Sequence, residues 1–242
     1  PSVRRRMNPS TTILQGTRTI TYDGQPESRC PSDLYKRYEH LLDTQYMGWT
    51  EHLRFRRLLA TGGQVVVYLS ERRGSDRFTL PMALKIFSPE RYPSQQAYDM
   101  AMIRIAQVAG SVAKIQHDCL LDVQNFTERN RIRIMEMEWV DGYDLDHLLT
   151  PAMLARVQQR VSHRRWNYIN NVIVTSGPVR PRLTPGIAVA VIRQCLSALA
   201  ALHREEIVHG DLKPSNIMIK RAGNAKIVDI GSALDLNNMP EQ

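Results

Sequence analysis

The chain has 242 residues, 43% of them hydrophobic, enough to bury a core as one large domain or as two small lobes. It carries no apolar run of about eighteen residues, and the basic N-terminal PSVRRRMNPSTT has no apolar stretch behind it, so neither a membrane span nor a signal peptide is expected. Cys30, Cys119 and Cys195 lack any CxxC spacing, which argues against a disulfide framework or a zinc site and suits a cytoplasmic chain, and the net charge of +8 raises a nucleic-acid partner only until its distribution is examined.

Residues 1–31 mix Pro, Ser, Thr, Gly and Arg without periodicity, as a polar leader or linker would. Ser32 can cap a helix whose Leu34, Tyr35, Tyr38, Leu41, Leu42 and Tyr46 recur at helical spacing. Three strand-like runs follow, LRFRRLLA, QVVVYLSERR and RFTLPMALKIF, the last two joined by Gly74, Ser75 and Asp76, which predicts a three-stranded antiparallel sheet. Tyr98, Met102, Ile105, Val108 or Ala109, and Val112 mark an amphipathic helix, followed by strands around LLDVQNF and IRIMEMEWV.

From Pro151 to Leu183 there are six arginines (156, 160, 164, 165, 180 and 182) and no acidic residue. Most of the excess charge therefore sits in one segment, which fits either a plain solvated face or an acidic surface docked on 151–183 rather than nucleic acid. Trp166, Tyr168, Ile169 and Val172 give this segment a partly helical, packing character. Thr184 and Pro185 then open GIAVAVIRQCLSALAALH, apolar on nearly every side and expected to be buried. Strands IMIK and AKIVDI flank a turn at Ala222, Gly223 and Asn224. A sheet-rich portion thus precedes a helical one, an α+β chain divided near residue 140.

The run VHGDLKPSNIMIK sets an acid, Asp211, a base, Lys213, and an amide, Asn216, on a loop between two short strands. Asp229 stands thirteen residues after Asn216 in VDIG. A single loop aspartate is ordinarily a turn or cap residue, but hard oxygen ligands beside a hydroxyl-orienting carboxylate are what phosphoryl transfer requires. The joint pattern resembles the catalytic loop and metal-binding aspartate of a eukaryotic-like serine/threonine protein kinase domain.

That resemblance implies a bilobal fold, with an antiparallel sheet lobe over 32–140 and a partial, mainly helical lobe over 141–242. It implies ATP and Mg²⁺ as cofactors and a protein hydroxyl as acceptor. Asp211 and Lys213 would be catalytic, and Asn216 and Asp229 would hold metal. MALKIF resembles the third-strand motif, so Lys85 would meet the α and β phosphates. MEMEWVDGYDL is similar to the family's hinge, which makes Met137 the gatekeeper and gives adenine the backbone of Glu138 and Val140. Asp144 would lie near the ribose, a place compatible with capping the helix that follows. Gly62 and Val67 would belong to the phosphate lid.

Several places depart from the family, which typically joins the two helices on either side of the basic insertion 151–183 by a much shorter connector. Ala60, Gly62 and Val65 of ATGGQV occupy the three lid glycine positions, with Gly63 alongside, so only the middle glycine is kept and a stiffer lid is expected. Counting back from His117, the position of the glutamate that should pair with Lys85 holds Gln107 or Val108, while Asp99 lies a couple of turns too early. Gly210 replaces the arginine that clamps a phosphorylated activation loop, which removes that form of control. The family's further helices do not follow Gln242, so the long apolar helix is expected to expose a wide face unless something covers it. These departures keep two alternatives open, a pseudokinase or scaffold that binds nucleotide weakly and works through a partner, and a small-molecule phosphotransferase.

Overall fold

Ser32 begins the helix expected of it, α1 (Ser32–Thr44), whose Leu34, Tyr38 and Leu41 are buried. The computed structural model describes residues 32–44, 46–47, 53–62, 64–175, 181–221 and 223–238; the leader with Cys30, and Gly63, Arg180 and Ala222, lie outside them. Tyr46 does not extend the helix. It opens a short strand, β1 (Tyr46–Met47), paired with the start of β2 (Leu53–Thr61). The chain divides into two compact units, one holding the described residues up to Met102 together with Gln124–Trp139, the other Ile103–Val123 and Val140 onward.

In the first unit, β3 (Val65–Arg73) and β4 (Thr79–Phe87) form a long hairpin around a turn at Ser75–Arg77. Helix α2 (Gln95–Val112) starts in this unit, and β5 (Val123–Arg129) and β6 (Ile132–Glu138) complete a sheet of order β1-β2-β3-β4-β6-β5. The three predicted strands thus become part of six, because β6 pairs antiparallel with β4 rather than forming a separate ribbon.

Residues directly opposite one another in an antiparallel ladder point to the same face. Val67 opposes Lys85, Lys85 opposes Met135, and Ala83 opposes Met137, so these five side chains share one face. Tyr68, Leu84 and Glu136 share the other. Helix α1 packs against β6, its Tyr38 hydroxyl bonded to the Ser88 side chain. Burial pushes that hydroxyl up to about 12.

The second unit begins with Ile103–Val123, which holds the end of α2, and resumes at Val140. Strand β7 (Gly142–Asp144) leads into α3 (Leu145–Leu148), and the basic insertion follows as α4 (Pro151–Gln158) and α5 (His163–Tyr168). A π-helical turn at Ile169–Ile173 runs into a two-stranded ribbon of β8 (Val174–Thr175) and β9 (Arg182–Leu183). Then comes α6 (Pro185–Arg204), the expected long apolar helix.

Helix α6 packs against β10 (Ile207–Val208) and β12 (Ala225–Ile227), burying Val191, Cys195, Ala198, Ala201 and Leu202. Strand β11 (Ile217–Lys220) lies between β12 and β7, and β13 (Leu234–Asp235) pairs with β10. By length and composition α6 is the one described helix apolar enough to cross a membrane, and one side of it packs against β10 and β12. Burial is not on nearly every side; the wide exposed apolar face is the expectation that this helix meets. Val189, Ile192 and Leu196, a stripe at spacings of three and four, are 58%, 57% and 58% exposed among the described residues.

Candidate active site

The loop between β10 and β11 is held by its own side chains. Asp211 Oδ2 accepts from Lys213 Nζ at 2.6 Å and from Asn216 Nδ2 at 3.1 Å, and Asn216 Nδ2 also donates to the Asp211 carbonyl at 2.8 Å. Pro214 starts a single 3₁₀ turn ending at Asn216, which brings the amide back over the aspartate five positions earlier. Two donors thus converge on Asp211 Oδ2.

His209 ties this loop to the segment carrying Asp229. Its Nδ1 accepts from the Asp211 backbone N–H at 3.4 Å, so the proton resides on Nε2, which donates to the Val228 carbonyl at 3.3 Å. Burial drives the imidazole below its ordinary value, against the opposing pull of the Val228 carbonyl, Asp229 and Asp211, so it stays neutral near pH 7. The Val228 N–H donates to the Asn216 carbonyl at 2.9 Å. Asp211, Lys213, Asn216 and the Asp229 segment are therefore brought together within the second unit.

Asp229 itself lies in the left-handed region at φ 64, its Oδ1 accepting from the Gly231 N–H at 3.0 Å. Such a conformation costs a non-glycine residue about 1–3 kcal/mol and is kept where the surroundings impose it. Gly210, at φ 75, explains its own presence. A Cβ there would lie 2.5 Å from the Ser232 carbonyl oxygen, so the loop and the segment after Asp229 approach too closely for a side chain. Sequence reasoning saw only the missing arginine, because a contact between residues 210 and 232 leaves no local signal.

Asp144 is the N-cap of α3. Its Oδ1 accepts from the His147 N–H at 2.9 Å, and its carboxylate faces His147 Nδ1 at 2.9 and 3.0 Å. The capping role foreseen for it is thus real, and His147 is an additional partner that the sequence did not single out. Val140 is buried at the start of the second unit.

In the first unit Lys85 is buried, on the face shared with Val67, Ala83 and Met137, with its ammonium 5.7 Å from the centre of the Phe87 ring. Met137 is buried beside Ala83, and Glu138 ends β6 opposite Met82. Gly62 sits in the tight turn between β2 and β3, its N–H donating to the Val65 carbonyl at 2.8 Å. Asp99 is the one carboxylate in α2, and it is engaged by Arg131 at 3.1 Å and Arg133 at 3.0 Å. The buried Glu136 is held by Arg72 at 2.5 Å on the sheet face opposite Lys85. Both acids are thus paired with arginines.

Hard oxygen donors at Asn216 and Asp229 suit Mg²⁺, which keeps waters and phosphate oxygens in its shell and needs few protein ligands. Among the described residues no cluster of three His, Cys, Asp or Glu side chains could hold a metal ion by itself.

Residues 54–241 match the protein kinase domain family. The chain is 29% identical over 182 residues to the serine/threonine-protein kinase PrkC of Bacillus subtilis (strain 168), covering 75% of this chain and 23% of that protein. It is 30% identical over 192 residues to the serine/threonine-protein kinase PknL of Mycobacterium tuberculosis (strain ATCC 25618 / H37Rv), covering 79% and 37%. It spans between about a quarter and two-fifths of the length of these relatives. Among solved structures, the apo form of PpkA-294 superposes with a TM-score of 0.55 at 19% identity, covering 78% of this chain and 60% of that one, a likeness of fold. The match over most of the sequence, on a loop whose acid, lysine and amide are hydrogen-bonded together, makes this chain a member of the protein kinase family of the eukaryotic-like serine/threonine type.

Proposed function

We propose that the chain transfers the γ-phosphoryl group of ATP to a serine or threonine hydroxyl of a protein. The observation that carries this reading is the Asp211, Lys213 and Asn216 cluster, joined through His209 and Val228 to Asp229. Asp211 accepts a hydrogen bond from the attacking hydroxyl and aligns it. Lys213, already 2.6 Å from Asp211, supplies positive charge where the transferring group spreads its own. Bound Mg²⁺ would neutralise phosphate charge, and the Asn216 amide oxygen with the Asp229 carboxylate would hold it. In the first unit Lys85 would grip phosphates, with Gly62 and Val67 over them, and the backbone of Glu138, with that of Val140 from the second unit, would meet adenine. Asp144, oriented by His147, would receive the ribose.

The experiment is incorporation of labelled phosphate from Mg·ATP into a generic protein acceptor. Wild type is expected to label it, and Asp211→Asn to lose roughly a hundredfold or more of the rate, the usual size of a positioned acid–base contribution. Equal labelling by both proteins contradicts the assignment. A second reading draws on α2, which carries no glutamate and whose one carboxylate, Asp99, is paired with Arg131 and Arg133. It is a nucleotide-binding scaffold. Thermal stabilisation by Mg·ATP without any incorporation supports the scaffold.

A further inference from the structure

The insertion between α3 and α6 is a built module rather than a loose loop. Thr150 caps α4 through a hydrogen bond to Met153 N–H at 3.2 Å, and Ser162 caps α5 through Arg165 N–H at 3.3 Å. Its far end is closed by the β8–β9 ribbon and by the Thr184 N–H donating to the Ile173 carbonyl at 3.0 Å. Met153, Val174 and Pro181 are buried. Capped helices and a small core fix the backbone that carries the arginines.

The charge on that module is uncompensated from within. No Asp or Glu occurs from His147 to Arg204. Arg160, Arg164, Arg165 and Arg182 are exposed, and no described carboxylate lies within ion-pair distance of them. A solvated face ordinarily mixes both signs, whereas four exposed guanidinium groups on a fixed scaffold favour carboxylates in bidentate geometry.

The position of the module selects the partner. Helix α4 packs on α3, and α3 packs on the Pro214–Asn216 turn, the same turn that carries Asn216 beside Asp211. A polypeptide held on the arginines would therefore raise the local concentration of its own hydroxyls near Asp211. Nucleic acid is less well served. Of the aromatics between the arginines only Tyr168 is exposed, and the Arg165 guanidinium already lies 5.9 Å from its ring centre.

We propose that Arg160, Arg164, Arg165 and Arg182 dock an acidic segment of the protein substrate, a recognition site outside the catalytic loop. This rests on the phosphotransfer reading above, and its test separates the two. Two acceptor peptides share one serine- and threonine-containing core joined by a flexible spacer to a tract of Asp and Glu or to a Gln tract of equal length. With the full chain, KM for the acidic-tract peptide is expected to be about tenfold lower than for the neutral one, from a few exposed ion pairs acting together. The combined Arg160→Gln, Arg164→Gln, Arg165→Gln and Arg182→Gln variant, checked for folding by circular dichroism, should lose that advantage. Its KM for the neutral peptide and its kcat should be unchanged, and the four Arg→Lys replacements should retain most of the preference.

Equal KM values in wild type, or a preference that survives the Gln variant, overturn the docking site and leave the kinase reading standing. If neither peptide is labelled, the kinase reading fails, and anisotropy of the fluorescently labelled acidic peptide decides docking alone. Salt-sensitive binding weakened by the Gln variant supports the site, and no binding overturns it. Tighter binding to an oligonucleotide of equal charge, or to phosphatidylserine vesicles, also overturns an acidic protein as the partner.

Discussion

Gly210 shows how one residue can carry two readings. As a sequence position it is the loss of an arginine that answers to phosphorylation, whereas in the fold it is a backbone contact with Ser232 at positive φ. Gly210→Ala is therefore expected to lower stability by about 1–3 kcal/mol in urea unfolding, through left-handed strain and the crowded carbonyl. An unchanged midpoint would contradict the close approach. By the same geometry, putting arginine back at 210 does not restore phosphate-dependent control but pushes Ser232 away. Asp211, Lys213, Asn216 and Asp229 were legible because their spacing is local and chemically constrained. The roles of His209 and His147 were not, since each depends on which carbonyl or carboxylate the fold brings to an imidazole.

At the level of elements, hydrophobic periodicity located α1, α2 and α6 and the hairpin of β3 and β4 to within a few residues. It missed the strand at Tyr46–Met47, where two residues are too short a run to show alternation, and the pairing of β6 with β4, which is set by tertiary contact. Helix α1 offers a test with a definite sign. The folded chain keeps the Tyr38 phenol neutral up to about 12, whereas an unfolded chain releases its proton near 10. The stability that Tyr38 contributes is therefore intact below pH 10 and is lost as pH rises through about 12. Between those limits the melting temperature of wild type should fall more steeply than that of Tyr38→Phe, followed by circular dichroism. Parallel slopes would mean that Tyr38 is wet and α1 is not docked on the sheet.

In the molecule as a whole, one unit holds the described residues up to Met102 with Gln124–Trp139, and the other Ile103–Val123 with Val140 onward. Residues 103–123 cluster with the second unit although they precede β6 in the chain, because the α2–β5 connection bonds to β12 through Leu121 and Cys119. Helix α6 carried two expectations, burial on nearly every side and a wide exposed face if nothing covers it, since composition alone cannot tell a covered apolar face from a wet one. In this chain the stripe of Val189, Ile192 and Leu196 is wet, at a cost on the order of 25 cal/mol for each Å². Replacing the three with Gln should reduce binding of an apolar fluorescent dye without lowering the melting temperature. A large drop in that temperature would show that the stripe is covered.

The most direct measurement is nucleotide affinity by calorimetry with and without Mg²⁺, in wild type and in Asp229→Asn. If Asn216 and Asp229 hold the metal that presents phosphate to Asp211, removing Mg²⁺ should weaken ATP binding to wild type by about tenfold or more, a loss of roughly 1.4 kcal/mol. The variant should bind weakly and respond little to the metal. An equal Mg²⁺ dependence in both proteins would contradict the assignment of that carboxylate and the catalytic site built on it.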